Sequence, residues 1–165
     1  MHILSYVIMG ILILVYISPL NFYNTSIEPF NYVLRSTYHA NLSHLAANLF
    51  SFYFLSSIGD IIGEKHFLMA IIFIWIVSSI LLYLYQQILP SRKFYTVGFS
   101  AVIFGLFVVY YSLIKQNNVI SVGALLISIV PQILIPGISW EGHICGIIAG
   151  IIYVLLFKNF LKPVN

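Results

Sequence analysis

The sequence predicts an all-α polytopic membrane protein, a bundle of six transmembrane helices built by one domain over residues 1–165. Three observations predict it. The composition is 61% hydrophobic and only 7% charged, with a mean hydropathy of +1.04, whereas a soluble domain carries roughly a quarter charged residues. Apolar stretches recur at lengths near the about 20 residues that cross a bilayer. Turn-forming residues separate them. The formal charge of +3 is small and dispersed, which excludes a nucleic-acid partner and fits lipid headgroups. The single Cys145 excludes an intrachain disulfide framework, and its apolar surroundings mark a buried structural thiol.

The expected spans are about 3–20, 42–59, 67–89, 97–115, 119–135 and 142–160. The first lacks Lys or Arg ahead of its apolar run and is long enough to cross a bilayer, so it reads as a retained helix. Breaks fall at Pro29, the polar stretch 59–66, Pro90 to Lys93, Gln116 to Asn118, and Pro136-Gly137. The fifth span is short and contains Pro131, which favours a bend. Six spans put both termini on one side. That side carries Lys65, Lys115, Lys158 and Lys162 against Arg35, Arg92 and Lys93 opposite, which points to cytoplasmic termini. Asn24-Thr25-Ser26 and Asn41-Leu42-Ser43 are glycosylation sequons on the far side of this topology.

Three polar groups interrupt the apolar chain: His39, His44 and Asn48; Gly98-Phe99-Ser100; and Gly142-His143. Polar side chains at membrane depth are costly unless they pair, and mark a candidate site. Helix parity strengthens this, because spans two, four and six all begin on the face opposite the termini. Within about six residues of a helix start, a side chain lies within roughly 10 Å of that interface. The three groups therefore share one side and one depth.

Each group offers a different chemistry. Ser100 is a nucleophile once a base takes its proton, and Gly98 lets the chain turn or a substrate approach. The free N–H groups of a helix start suit a developing oxyanion. His143 can act as that base. Gly142, Gly146 and Gly150 share a helix face at four-residue spacing, and Ala101 with Gly105 offers a matching face. Small residues of this kind let membrane helices meet backbone to backbone. Contact between those faces would bring Ser100 and His143 within hydrogen-bond reach. His44 and Asn48, four apart on one face, can donate to an oxyanion. No acid is placed to complete a triad, since Glu141 is two residues from His143 on a helix start. Phe104, one turn below Ser100, is the candidate for orienting the imidazole. Convergence of His39, His44 and His143 on zinc is disfavoured, because the chain has no H-E-x-x-H and few carboxylates. No metal or other cofactor is expected. Taken alone, each group also has a packing or capping explanation.

These residues resemble the rhomboid family of intramembrane serine proteases, and the resemblance spans all six helices of the minimal rhomboid-like core. His39-Ala-Asn-Leu-Ser-His-Leu-Ala-Ala-Asn48 matches the second-helix motif of that family. Gly98-Phe-Ser-Ala101 matches the nucleophile motif, and Gly142-His-Ile-Cys-Gly-Ile-Ile-Ala-Gly150 the sixth-helix motif. The resemblance implies a serine endopeptidase with Ser100 as nucleophile and His143 as general base. The oxyanion would be held by the Ser100 N–H, His44 and Asn48. His39, Gly98, Phe104 and Gly146 would support the site. The implied substrates are single-pass transmembrane proteins, cut within the lipid bilayer near its extracytoplasmic or lumenal face, with the fifth span as a candidate gate. Two departures stand out. Ala101 occupies a position that is usually Gly, and the first loop, about 21–41, lacks the family's usual Trp-Arg pair. Neither removes a chemical group the mechanism needs. The remaining alternatives are a catalytically inactive relative that binds membrane proteins, and a small transporter, for which no internal repeat is present.

Overall fold

The computed structural model describes residues 3–18, 28–89, 96–114, 118–134, 138–159 and 161. Among these it contains α1 (Ile3–Ile17), α2 (Glu28–Arg35), α3 (Leu42–Leu55), α4 (Ser57–Ile62), α5 (Glu64–Ile88), α6 (Ser100–Leu113), α7 (Asn118–Ile133) and α8 (Trp140–Phe157), and no strand. By length and composition, the stretches Leu42–Ile62, Glu64–Ile88 and Trp140–Phe157 can cross a membrane. Ile3–Ile17, Ser100–Leu113 and Gly123–Ile133 are shorter apolar helices. The chain is a membrane protein. The breaks expected at Pro90 to Lys93, Gln116-Asn117 and Pro136-Gly137, and the sequon at Asn24, lie outside the described residues.

Lipid tails are as apolar as leucine, so burial alone does not drive membrane helices together. Close backbone packing and paired polar groups do that work, and both are visible here. The central pair is α6 and α8, with α5 packed against each of them. A methyl added at Gly146 would collide with the backbone of Ala101, and one added at Gly150 would lie 2.5 Å from the Gly105 carbonyl oxygen. The Gly105 face in turn abuts the Gly146 carbonyl and Ile74. Gly142 is different, resting on the Thr96 side chain rather than on α6. On the far flank of α8, Tyr153 is fully buried, lies against Phe73 with its ring tilted by 56°, and donates to the His66 carbonyl at 3.2 Å.

The structure corrects two of the expected connections. The stretch 59–66 is almost entirely helical. Helix α4 runs on from α3, and Gly63, at φ 83°, reverses the chain in one residue before α5 begins. A left-handed backbone angle is easy only for glycine, which is why so short a reversal is possible. The first loop is also not simply a loop, since Glu28–Arg35 forms α2. Pro29, expected as a break, sits in the first turn of that helix, where a missing N–H is harmless. Glu28 at its start and Arg35 at its end suit the helix dipole.

Helix α2 is clipped to α5 by polar bonds, beside a small apolar cluster in which Tyr32 meets Leu82. Tyr32 donates to Gln86 Oε1 at 2.6 Å, and Ser79 donates to the Tyr32 carbonyl at 3.3 Å. Trp75 Nε1 donates to the Val33 carbonyl at 2.9 Å and also reaches Ser36 Oγ. Trp75 on α5 thus holds the C-terminal half of α2 and the residue just past it. Gly98 N–H then donates to the Arg35 carbonyl at 3.2 Å, tying the segment before α6 to the end of α2.

The two glycine environments make a direct test. Gly146→Ala puts its methyl into backbone that has nowhere to go, whereas Gly123→Ala on α7 meets nothing within 4 Å. Gly146→Ala should lower stability in detergent by about 3 kcal/mol, the upper end of the overpacking range, and Gly146→Val more. Gly123→Ala should change it by about 1 kcal/mol or less. Equal thermal unfolding midpoints for the two alanine variants would contradict the contact.

Candidate active site

The segment that carries Ser100 is held from both sides. Gly98 adopts φ 109°, and a methyl there would fall 2.5 Å from Cε1 of His44. The glycine therefore serves the turn and leaves room for the imidazole. Phe99 points the other way, into the core, 2% exposed and edge-on to both Phe52 and Trp75 at 5.7 and 6.2 Å. With one neighbour fixed by a turn and the other by a buried ring, Ser100 begins α6 facing α8.

On α8 the imidazole of His143 lies in the first turn. Its Nε2 is 2.9 Å from Ser100 Oγ. Phe104 stacks on the ring face, with centroids 4.4 Å apart and planes 14° from parallel. Ala101 does not prevent this approach. Its backbone is the surface on which Gly146 rests.

From α3 come the amide and the second imidazole. Asn41 caps the helix, its side chain accepting from the His44 N–H at 2.8 Å and from Ser43 Oγ at 2.7 Å. The Asn41 sequon is therefore also a cap that starts the motif helix in register. Asn48 is buried and donates one amide hydrogen to the His44 carbonyl at 2.8 Å. Its second amide hydrogen is uncommitted by that bond. His39 lies before α3, edge-on to His44 with centroids 5.1 Å apart. It does not line the cavity described next.

Ser100, His143, His44 and Asn48 border a cavity of about 800 Å³, with Ile103 and Phe107 among its apolar lining. Two further residues on it were not anticipated from the sequence. Ser139 shares a hydrogen bond of 2.8 Å with Thr96, joining the approach to α8 with the approach to α6. Gln132 on α7 places Oε1 2.6 Å from His143 Nδ1. A polar residue within an apolar span was the available signal for Gln132. Glu141 is buried in the first turn of α8, and the His143 nitrogen that an acid would have taken faces Gln132 instead. No group of three or more His, Cys, Asp or Glu suited to a metal occurs among the described residues.

Residues 27–160 match the family described as Rhomboid domain. The chain belongs to the rhomboid family. It is 54% identical over 157 residues to "Putative rhomboid protein L523" of Acanthamoeba polyphaga mimivirus, a match covering 95% of this chain and 92% of that one. A more distant similarity, 26% over 132 residues, is to "Uncharacterized protein ML1171" of Mycobacterium leprae (strain TN), covering 73% of this chain and 53% of that protein. In this rhomboid protein all three sequence motifs face the same cavity.

His39 sets a pH dependence of the fold. Its ring nitrogens are buried without a hydrogen bond of good geometry. Burial first, and the neighbouring His44 charge second, push it down to about 4 from 6.5, the Thr37 backbone opposing this in part. The folded state then refuses a proton that the unfolded chain accepts. Stability from this source is intact above about pH 6.5, falls as the pH drops, and levels off below about 4. Thermal unfolding in detergent between pH 7 and 4 should show that slope, and His39→Gln should make it shallower. An unchanged slope in the variant would assign the effect elsewhere.

Proposed function

We propose that this rhomboid-family protein is an intramembrane serine endopeptidase that cuts transmembrane segments of single-pass proteins with a Ser100–His143 dyad. The observation that carries this reading is the 2.9 Å contact between Ser100 Oγ and His143 Nε2 on the wall of a cavity. A hydroxyl within hydrogen-bond reach of an imidazole nitrogen is the geometry in which the base can take its proton.

In the proposed reaction Ser100 Oγ attacks the carbonyl carbon of a substrate peptide bond while His143 Nε2 takes the hydroxyl proton. The oxygen of that carbonyl becomes an oxyanion, held by the Ser100 N–H, the remaining Asn48 amide hydrogen and His44. The carbon–nitrogen bond then breaks, and His143 returns the proton to the leaving amine. Water, with His143 as base again, hydrolyses the acyl-enzyme and restores Ser100. No cofactor enters these steps.

A substrate helix hides its peptide bonds in its own ladder, so it has to unwind at the cut. Gly or Pro near that point reduces the cost of unwinding. Helix α6 has 14 residues, a rise of about 21 Å, against a hydrocarbon core of about 30 Å. A helix so short begins inside the hydrocarbon if its other end reaches the opposite face, and the cavity then brings water to Ser100. In this reading the termini face the cytoplasm, and the cavity opens toward the extracytoplasmic or lumenal side.

A fluorophosphonate probe and a model transmembrane segment interrupted by Gly and Pro test the reading together. Wild type should be labelled and should cleave. Ser100→Ala and His143→Ala should do neither while keeping their unfolding midpoints. Asn48→Ala should retain weak cleavage, lower by about 10²–10³, the cost of one oxyanion donor. Failure of the folded wild type to label or to cut any such segment would leave a binding role for the fold instead.

A further inference from the structure

The hydrogen-bond pattern around His143 extends past the dyad, onto a helix that carries no motif residue. Gln132 lies on α7, one residue after Pro131. Its Nε2 donates to the Ser128 carbonyl at 3.1 Å, one turn back on the same helix. Its Oε1 sits 2.6 Å from His143 Nδ1.

These two contacts decide each other. A backbone carbonyl only accepts, so the amide nitrogen of Gln132 has to face Ser128, and turning the amide over would set oxygen against oxygen. The amide oxygen is then the atom facing His143. An amide oxygen only accepts, so His143 Nδ1 has to carry a proton. In a neutral imidazole the other nitrogen is then bare. Nε2 is therefore the acceptor, and the Ser100 hydroxyl is the donor. A helix carbonyl on α7 thus sets, in three steps, which way the proton lies between Ser100 and His143.

We propose that Gln132 is a positioning residue, which holds His143 in the tautomer and ring orientation that let Nε2 take the Ser100 proton. The proposal rests on the protease reading for its kinetics but not for its spectroscopy. It also makes the base depend on α7 staying docked. That helix packs on α6 and α8 through a small apolar cluster that includes Leu125, Ile129, Val108 and Ile147. Phe104 restrains the plane of the ring from one face, and Gln132 fixes rotation within that plane. A neutral amide suits this place, since it orients the ring without adding charge at membrane depth.

The test has two arms. In the first, nitrogen-15 NMR of the detergent-solubilised wild type reads the neutral His143 ring directly. Protonation at Nδ1 is expected, and a ring protonated mainly at Nε2 would overturn the proposal. In the second, Gln132→Leu keeps the side-chain bulk and removes the acceptor, while Gln132→Glu keeps an acceptor. Gln132→Leu should lower kcat on the Gly- and Pro-interrupted segment about tenfold, equal to about 1.4 kcal/mol of barrier, with KM unchanged. It should also mix the two tautomers. Gln132→Glu should recover kcat to within about threefold of wild type. Unchanged kcat in Gln132→Leu, or a Gln132→Glu variant as slow as Gln132→Leu, would overturn the positioning role and leave the protease reading standing. An inactive wild type that still shows the Nδ1-protonated ring would end the protease reading and support the contact.

Discussion

The backbone contact between α6 and α8 is the constraint on which the rest of this molecule depends. Gly146 rests on the Ala101 backbone and Gly150 on Gly105, so the two helix axes are as close as main chain allows. Ser100 stands one residue before Ala101, and His143 three before Gly146. Their separation is therefore fixed by a rigid contact one turn away, and no long side chain has to bridge a gap. In a bilayer this is a stronger device than apolar burial, because a lipid-facing leucine gains little by turning inward.

Around that contact α2, α3, α5 and α7 restrain the other groups of the site. Helix α5 holds α2 through Trp75 and the Tyr32–Gln86 pair, and the end of α2 accepts from Gly98. Helix α3 presents His44 against the space that Gly98 leaves open, and α7 brings Gln132 to the outer nitrogen of His143. Local backbone choices serve the same end. Gly98 at positive φ turns the chain, Phe99 pins it in the core, and the hydroxyl that follows has one direction to face. A site assembled by this many separate helices is sensitive to any of them shifting. The Ser100–His143 and His143–Gln132 bonds join side chain to side chain, while Asn48 and Gln132 are each anchored on a carbonyl of their own helix.

The sequence carried more of this than its low polarity suggests. Small residues at four-residue spacing on α8, with Ala101 and Gly105 on α6, named the faces that meet. Parity of apolar spans put His44, Ser100 and His143 on one side of the bundle, and they border one cavity. What escaped notice was information without periodicity. Helix α2 is too short and too polar to register as a span, and its partners, Trp75, Ser79 and Gln86, lie 39 to 54 residues along the chain from the groups they bond. The polar stretch 59–66 read as a loop because composition registers polarity, while the reversal there needs only Gly63.

By itself, then, the sequence determined the membrane class, the family and the residue types that meet, because hydropathy, helix period and motif spacing are all local properties of a chain. The tertiary structure alone decided which nitrogen of His143 faces Ser100, that Gln132 rather than an acid stands behind it, and that His39 lies outside the cavity its motif partners share. Those outcomes are set by how separate helices pack, and a hydrogen bond is made or lost over a few tenths of an ångström. A hydrogen bond has a direction and a donor, and neither exists until the folded chain brings the two atoms together.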